Sequence, residues 1–468
     1  MIDRSRHGNP SRRRFLTGGS LALAAGLGMA GSARLLAMAG TAGAAPKHPG
    51  FGPLRPVADL ETGLPLLKLP EGFVYRSFGW AGQALRGDLP CPAAHDGMGL
   101  VRAEGSILTL VRNHEQVSLD GSFAPPEATY DPVCSGGTVT LRFDSAEGRM
   151  LDAWPSLSGT LQNCAGGVTP WGSWLSCEEF AGDPGPVRLK SRRAQLDRAH
   201  GYVFEVPADG LSDARPIPEM GRFKHEAAAL DGKGEIVYLT EDHDGAVSGF
   251  YRFLPKRAGR LADGGRLQML RVPGQPDLTG GQAPGQRYPV EWVDIADPDR
   301  GIDRHGRPGG VAEQGMAAGA SRFARLEGCI ERDGAIYFTS TSGGAARAGQ
   351  VWAYYPTEQR LALIFESPDS AVLDYPDNIV FSPRGGMVIC QDSKLGRQRL
   401  YGLTAEGGLF EFARNNVRLD GQFGFSGDYR GAEWAGSCFS PDGKWLFANV
   451  YSPGFTVAIT GPWRAGLI

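Results

Sequence analysis

No C-x-x-C pair occurs among the seven cysteines, Cys91, Cys134, Cys164, Cys177, Cys329, Cys390 and Cys438. Their wide spacing excludes a small disulfide scaffold and a zinc ribbon. Seven is also odd, so in an oxidising compartment at least one thiol stays unpaired unless something such as a metal protects it. Beyond residue 44 the chain lacks any excess of basic charge. The formal net charge is −3, and the first 44 residues hold six Arg against the single acid Asp3, so the remainder carries −8. An acidic body is a poor match for nucleic acid, whose phosphates require Lys and Arg; it suits a protein that binds cations. Long helices are also disfavoured. Gly 68 and Pro 33 make up about 22% of the 468 residues, against an average near 12%, which excludes an all-α fold. Hydrophobic residues at 41% and charged residues at 21% exclude global disorder and a multi-span membrane protein.

The basic leader has the layout of an export signal. Ser11, Arg12, Arg13, Arg14, Phe15 and Leu16 precede an uncharged Ala/Gly/Leu-rich run from Thr17 to Ala33, and Ala42-Gly43-Ala44 offers a small-x-small cleavage site. The run is too Gly-rich for a good membrane span. Paired Arg before Phe-Leu resembles the twin-arginine signal of the bacterial Tat exporter, whose cargo folds before crossing. We therefore expect a signal peptide over 1–44, Tat machinery as a partner, a periplasmic or secreted product without a stable membrane span, and a cofactor loaded before export.

Short apolar runs recur after turns in the body. Gly105 to Leu110 leads to Glu115, Trp171 to Ser176 leads to Glu178-Glu179, and Gly234 to Leu239 leads to Glu241-Asp242. Asp333 to Phe338, Gly386 to Cys390 and Asp442 to Phe447 repeat the pattern, the second of these running into Asp392. About six such units, spaced irregularly, predict an all-β chain: a roughly six-bladed β-propeller with inserted loops, which buries short strands without long exposed edges. The expectation is one catalytic domain over 45–468, monomeric, with a long loop or insertion near 255–320.

About ten residues before each apolar run stands a potential ligand: Asp96, Cys164, Glu226, Glu327, Asp377 and Glu433. In a propeller the innermost strands start, and the second strands end, on one face near the axis. That face would gather these six with Glu115, Glu178, Glu179, Glu241, Asp242 and Asp392. So many carboxylates in a partly enclosed funnel cannot stay ionised without counter-charge. Metal cations supply it, hard ions for the carboxylates and a transition metal for a thiolate at Cys164.

Seven segments resemble the PhoX-type alkaline phosphatases, exported propeller enzymes. They are Asp96-Gly97; Asn113-His114-Glu115; Asn163 to Glu179; Gly221 to Glu226; Arg322 to Gly328; Pro376-Asp377-Asn378 with Cys390-Gln391-Asp392; and Glu433 through Gly443 to Gly454. The resemblance implies a ferric iron and calcium centre that hydrolyses phosphomonoesters. Cys164, Glu226 and Glu327 would bind or bridge iron. Glu178, Glu179, Glu115, Asp377, Asn378, Glu433 and Asp96 would complete the metal shell, and Arg325 would bind the substrate phosphate. Two rival readings are a calcium-dependent propeller hydrolase of the lactonase or phosphotriesterase kind, and a non-catalytic propeller stabilised by metal.

Overall fold

The computed structural model describes residues 48–189, 192–243, 247–302 and 309–468. The expected signal peptide lies outside the described residues. Gly-rich turns cut the chain into short strands rich in β-branched, aromatic and small residues, which bury both faces. Gln350–Tyr355 and Met387–Gln391, for example, are buried at every position.

Six antiparallel sheets radiate from one axis. Their innermost strands are His95–Glu104, Asn163–Val168, His225–Leu230, Leu326–Arg332, Pro376–Phe381 and Trp434–Phe439, in blades 1 to 6. Consecutive inner strands pack side by side, and the sixth returns to the first. This is the expected six-bladed propeller. Val74–Phe78 closes the ring by pairing antiparallel with Phe455–Thr460 on the outer edge of blade 6. Arg55–Val57 and Leu67–Leu69 widen blade 5, with Leu67 opposite Asn415.

The stretch 255–320, expected as a long loop or insertion, contributes the outer strands of two blades as well as connecting loops. Gly265–Arg271 and Glu291–Asp294 complete blade 3, and Arg287–Pro289 adds to blade 4. It also holds Val311–Ala317, the one α-helix among the described residues. Aromatic rings join neighbouring blades. Phe250 of blade 3 stacks on Phe338 of blade 4 at 4.2 Å, and Phe143 of blade 1 meets Phe447 of blade 6 edge-on at 5.0 Å. Such pairs contribute about 0.5–1.5 kcal/mol beyond the area they bury.

One irregularity recurs in all six blades. The ladder between the inner strand and its neighbour shifts register just past its first pair, His95 with His114, Asn163 with Glu178, His225 with Glu241, Leu326 with Ser340, and Pro376 with Gln391. In blade 6 the shift follows Ala435, opposite Asn449. A β-bulge re-aims the side chains beside it. The residues at this level are Asp96, Cys164, Glu226, Glu327, Asp377 and Ala435, and small residues follow most of them because the strands crowd at the axis. A Cβ on Gly97 would lie 2.5 Å from the Cα of Ala165, and one on Gly328 would lie 2.7 Å from the carbonyl oxygen of Asp377. Gly436 is held at φ +58°, and a Cβ there would meet the Asp96 carbonyl oxygen at 2.5 Å. Gly436→Ala therefore adds backbone strain to a clash. We expect it to lower unfolding free energy by roughly 2–4 kcal/mol, read as a shifted urea midpoint at unchanged slope; an unshifted midpoint would contradict this tight approach.

Candidate metal centre

Two rings of side chains meet where the inner strands begin. The first comes from the bulge level just described. The second comes from the residue directly after each second strand: Glu115, Glu179, Asp242, Thr341, Asp392 and Tyr451 follow strands that end at His114, Glu178, Glu241, Ser340, Gln391 and Val450. Asp96, Glu115 and Cys164 bring ligand atoms within 4.8 Å of one another, as do Cys164, Glu179 and Glu226, and again Glu226, Glu327 and Asp377. Shared Cys164 and Glu226 link the three groups into one cluster. The Cys164 thiol donates to Glu226 Oε1 at 3.3 Å.

The cluster is electrostatically uncomfortable in its own right. Burial first, and then neighbouring carboxylates, raise the carboxyls of Asp96, Glu226 and Glu327 well above the usual range. Glu179 and Glu433 are raised in the same way. Asp377 is pushed up to about 8, by burial and then by Asp392. Burial, followed by Asp96, Glu226, Glu179 and Glu115, also pushes the Cys164 thiol up. Glu226 Oε2 is buried without a hydrogen-bond partner. Among the described residues, two cations pair with the group. Lys224 Nζ lies 3.7 Å from Glu179 Oε1. Arg325 forks onto Asp242 through Nε at 2.9 and 3.1 Å and Nη2 at 2.6 Å, and its Nη2 also reaches Glu327 Oε1 at 3.0 Å. Two cations do not balance so many acids. Carboxylate oxygens suit hard ions and the thiol suits a transition metal once deprotonated, so the donor set fits a mixed metal centre.

A pH dependence follows for protein stripped by a chelator. A carboxyl whose folded pKa is raised binds a proton in the folded state that the unfolded chain releases near pH 4. Stability is then full at low pH and falls as pH rises toward the folded value, about 8 for Asp377. Stripped protein should melt at a lower temperature at pH 8 than at about pH 5, and metal should reverse the order by favouring the ionised forms. Stripped protein that is more stable at pH 8 would contradict this field.

Most of the sequence-predicted residues converge. Asp96, Glu115, Cys164, Glu179, Glu226, Glu327 and Asp377 form the linked cluster, and Glu433 shares its field, its carboxyl being raised by burial and then by Asp392, Asp96, Asp377 and Glu115. Glu178 does not join them. As a final strand residue it points away, accepts from the amides of Leu161, Gly201 and Tyr202 at 2.8–3.1 Å, and receives His200 Nδ1–H at 2.7 Å. Glu241 is likewise turned away, bonded by the Tyr251 hydroxyl at 2.7 Å. Asn378 supports rather than joins: its Nδ2 donates to Asp377 Oδ1 at 2.9 Å while its Oδ1 accepts from the Gly436 amide at 2.6 Å.

Sequence reasoning passed over Lys224 and Tyr451. The Tyr451 hydroxyl lies 3.5 Å from the Glu115 carbonyl oxygen, and burial followed by Glu115 raises its pKa far above normal. A signal for Lys224 was present, since Lys224-x-Glu226 in blade 3 repeats the basic-x-Glu spacing of Arg325-x-Glu327 in blade 4.

The family model described as alkaline phosphatase PhoX matches residues 49–150 and 135–454. The solved structure of Pseudomonas fluorescens PhoX in complex with vanadate, a transition state analogue, superimposes with a TM-score of 0.61 at 18% identity, covering 89% of this chain and 98% of that one. A gluconolactonase from Xanthomonas campestris gives a TM-score of 0.35 at 13% identity, covering 82% of this chain and 100% of that one. No curated protein is significantly similar in sequence. Matched by the family model from Pro49 almost to its end, the chain belongs to the PhoX alkaline phosphatase family.

Proposed function

We propose that the protein is an exported hydrolase of phosphate monoesters whose centre combines ferric iron with calcium. The observation that carries this reading is the Cys164 thiol seated among four carboxylates, those of Asp96, Glu115, Glu179 and Glu226, with donor atoms within 4.8 Å. A calcium-only lactonase or phosphotriesterase has no need of that thiol, and a merely structural ion has no need of so many acids. Cys164, Glu226 and Glu327 would hold iron. Glu115, Glu179, Asp96, Asp377 and Glu433 would serve the harder ions, with Asn378 steadying Asp377 and Glu178 anchoring the strand end that presents Glu179. When bound, such ions neutralise phosphoryl oxygens and make a nucleophile available near neutral or alkaline pH.

The chain's own cations do the orienting. Arg325 is held from two sides, by Asp242 and Glu327, so its planar guanidinium is fixed at the rim of the centre. A guanidinium fixed in this way presents its charge to a phosphoryl group in a set orientation, which a mobile ammonium does not. Lys224, on the neighbouring blade, adds a second positive charge beside Glu179.

Turnover of p-nitrophenyl phosphate by metal-loaded protein, with no matching turnover of a phosphotriester or a lactone, is the expected result. The reverse preference would remove the monoesterase assignment. Export by the twin-arginine route to the periplasm or beyond rests on Arg12 and Arg13. Changing both to Lys should abolish periplasmic accumulation, and undiminished accumulation would point to the general secretory route.

A further inference from the structure

A third ring of residues borders the two that form the centre. In every blade the residue two places before the one at the bulge level uses its carbonyl oxygen to accept the amide of the residue that follows the second strand, at 2.8–3.2 Å. Blade by blade these residues are Ala94, Gln162, Lys224, Arg325, Tyr375 and Glu433. All six are partly exposed, whereas the bulge-level residues two places on are buried except for Asp377. The third ring is therefore the mouth of the centre. An ester whose phosphoryl group is held at Arg325 must direct its leaving group outward between these side chains.

Tyr375 takes in blade 5 the place that Arg325 takes in blade 4, and with the same left-handed backbone: φ is +51° at Tyr375 and +48° at Arg325. A bulky residue adopts this conformation only where its surroundings hold it, and such strain gathers at functional sites. The two places adjoin across the blade boundary. Arg325 Nη2 lies 3.0 Å from Glu327 Oε1, the carboxylates of Glu327 and Asp377 bring ligand atoms within 4.8 Å of one another, and Tyr375 precedes Asp377 by two residues, roughly 7 Å of chain. The Tyr375 amide also donates to the carbonyl of Ala348 at 3.2 Å, just before the blade 4 strand Gln350–Tyr355. The ring itself is half-buried, and its hydroxyl has no hydrogen-bond partner among the described residues. Lys394 Nζ, without an ion pair among those residues, lies 4.8 Å from the ring centroid. No other member of the third ring offers an aromatic surface. Lys224, Arg325 and Glu433 are charged, Gln162 Nε2 is tied to Glu179 Oε2 at 2.7 Å, and Ala94 is small.

We propose that Tyr375 is a specificity-determining residue that receives the leaving group of the ester, and that the esters it favours carry a planar aromatic ring next to the scissile oxygen. This rests on the phosphatase reading above and narrows it. With the phosphoryl group held at Arg325, an aromatic leaving group meets the Tyr375 ring on the adjoining blade in an offset-stacked or edge-on contact. A short alkyl leaving group has no ring to place there and gains nothing from Tyr375.

The test compares 1-naphthyl phosphate with ethyl phosphate on the parent, on Tyr375→Phe and on Tyr375→Asn, the last chosen because Asn tolerates the left-handed backbone. In the parent, KM should be about tenfold lower for the naphthyl ester. Tyr375→Asn should raise the naphthyl KM about tenfold and leave the ethyl KM within about twofold, so that ethyl phosphate turnover reports an intact fold and centre. Tyr375→Phe keeps the ring and should match the parent on both esters. Equal KM values in the parent, a naphthyl preference that survives Tyr375→Asn, or equal losses on both esters would each overturn the assignment. If the parent hydrolyses neither ester, the monoesterase reading fails separately. Calorimetry with two inert analogues then decides the residue: phenylphosphonate bound about tenfold more weakly by Tyr375→Asn than by the parent, with methylphosphonate unaffected, supports it, and equal weakening of both or of neither removes it.

Discussion

Cys164→Ser should cost the folded enzyme its iron and about 10²–10³-fold of kcat/KM together, the larger of the two effects expected here. The serine hydroxyl occupies nearly the same volume, and Cys164 lies on an inner strand whose ladder depends on backbone groups, so the fold and its circular dichroism should be unchanged. What changes is the donor. A thiolate is a soft, strongly bound ligand of a transition ion, whereas a neutral hydroxyl leaves an anionic pocket better suited to a hard ion. Calcium content should therefore survive in the variant. Unchanged iron at unchanged activity would remove Cys164 from the centre. A loss of activity at full iron content would make the thiol a neighbour of the chemistry rather than a ligand.

Arg325→Lys should leave metal content intact and lower kcat/KM for a phosphomonoester by about 10²-fold, or roughly 2.7 kcal/mol of transition-state binding. The charge is retained while the two-point fork onto Asp242 is lost. Arg325 also sits at φ +48°, a left-handed conformation that a non-glycine residue adopts only where its surroundings hold it. Inhibition by inorganic phosphate should weaken in parallel. Kinetics equal to the parent's would withdraw the phosphate role, and loss of metal would recast Arg325 as a support for Glu327.

The propeller was legible because its signal is local. Each blade announces itself through an apolar run between Gly-rich turns, and six runs suffice to imply the ring. Ring closure was not, because Val74–Phe78 and Phe455–Thr460 meet across almost the whole chain and neither segment marks the other. The reading of 255–320 as a long loop or insertion had a similar cause: Arg287–Pro289 and Glu291–Asp294 are three and four residues long and are identified only by the blades they join.

At the centre, the potential ligand about ten residues before each apolar run pointed to Asp96, Cys164, Glu226, Glu327, Asp377 and Glu433, and close strand packing explains why Gly97 and Gly328 follow two of them. Glu178 was harder to judge. Glu178 and Glu179 are adjacent acids at a strand end, but the first belongs to the ladder and turns toward His200, while the second has left it and faces the axis. The same division separates Glu241 from Asp242. Only the register shows which member of each pair looks inward, and register depends on the partner strand. Tyr451 illustrates the same limit, since it takes the position that Glu115 and Glu179 take in other blades without being an acid.

Elemental analysis of protein exported in its folded state, purified without added metal, tests the account most directly. The account predicts iron and calcium together in the same molecules, both retained through purification and both needed for turnover of a phosphomonoester. Protein that is fully active with calcium alone, or that carries no iron, would contradict a centre built around Cys164.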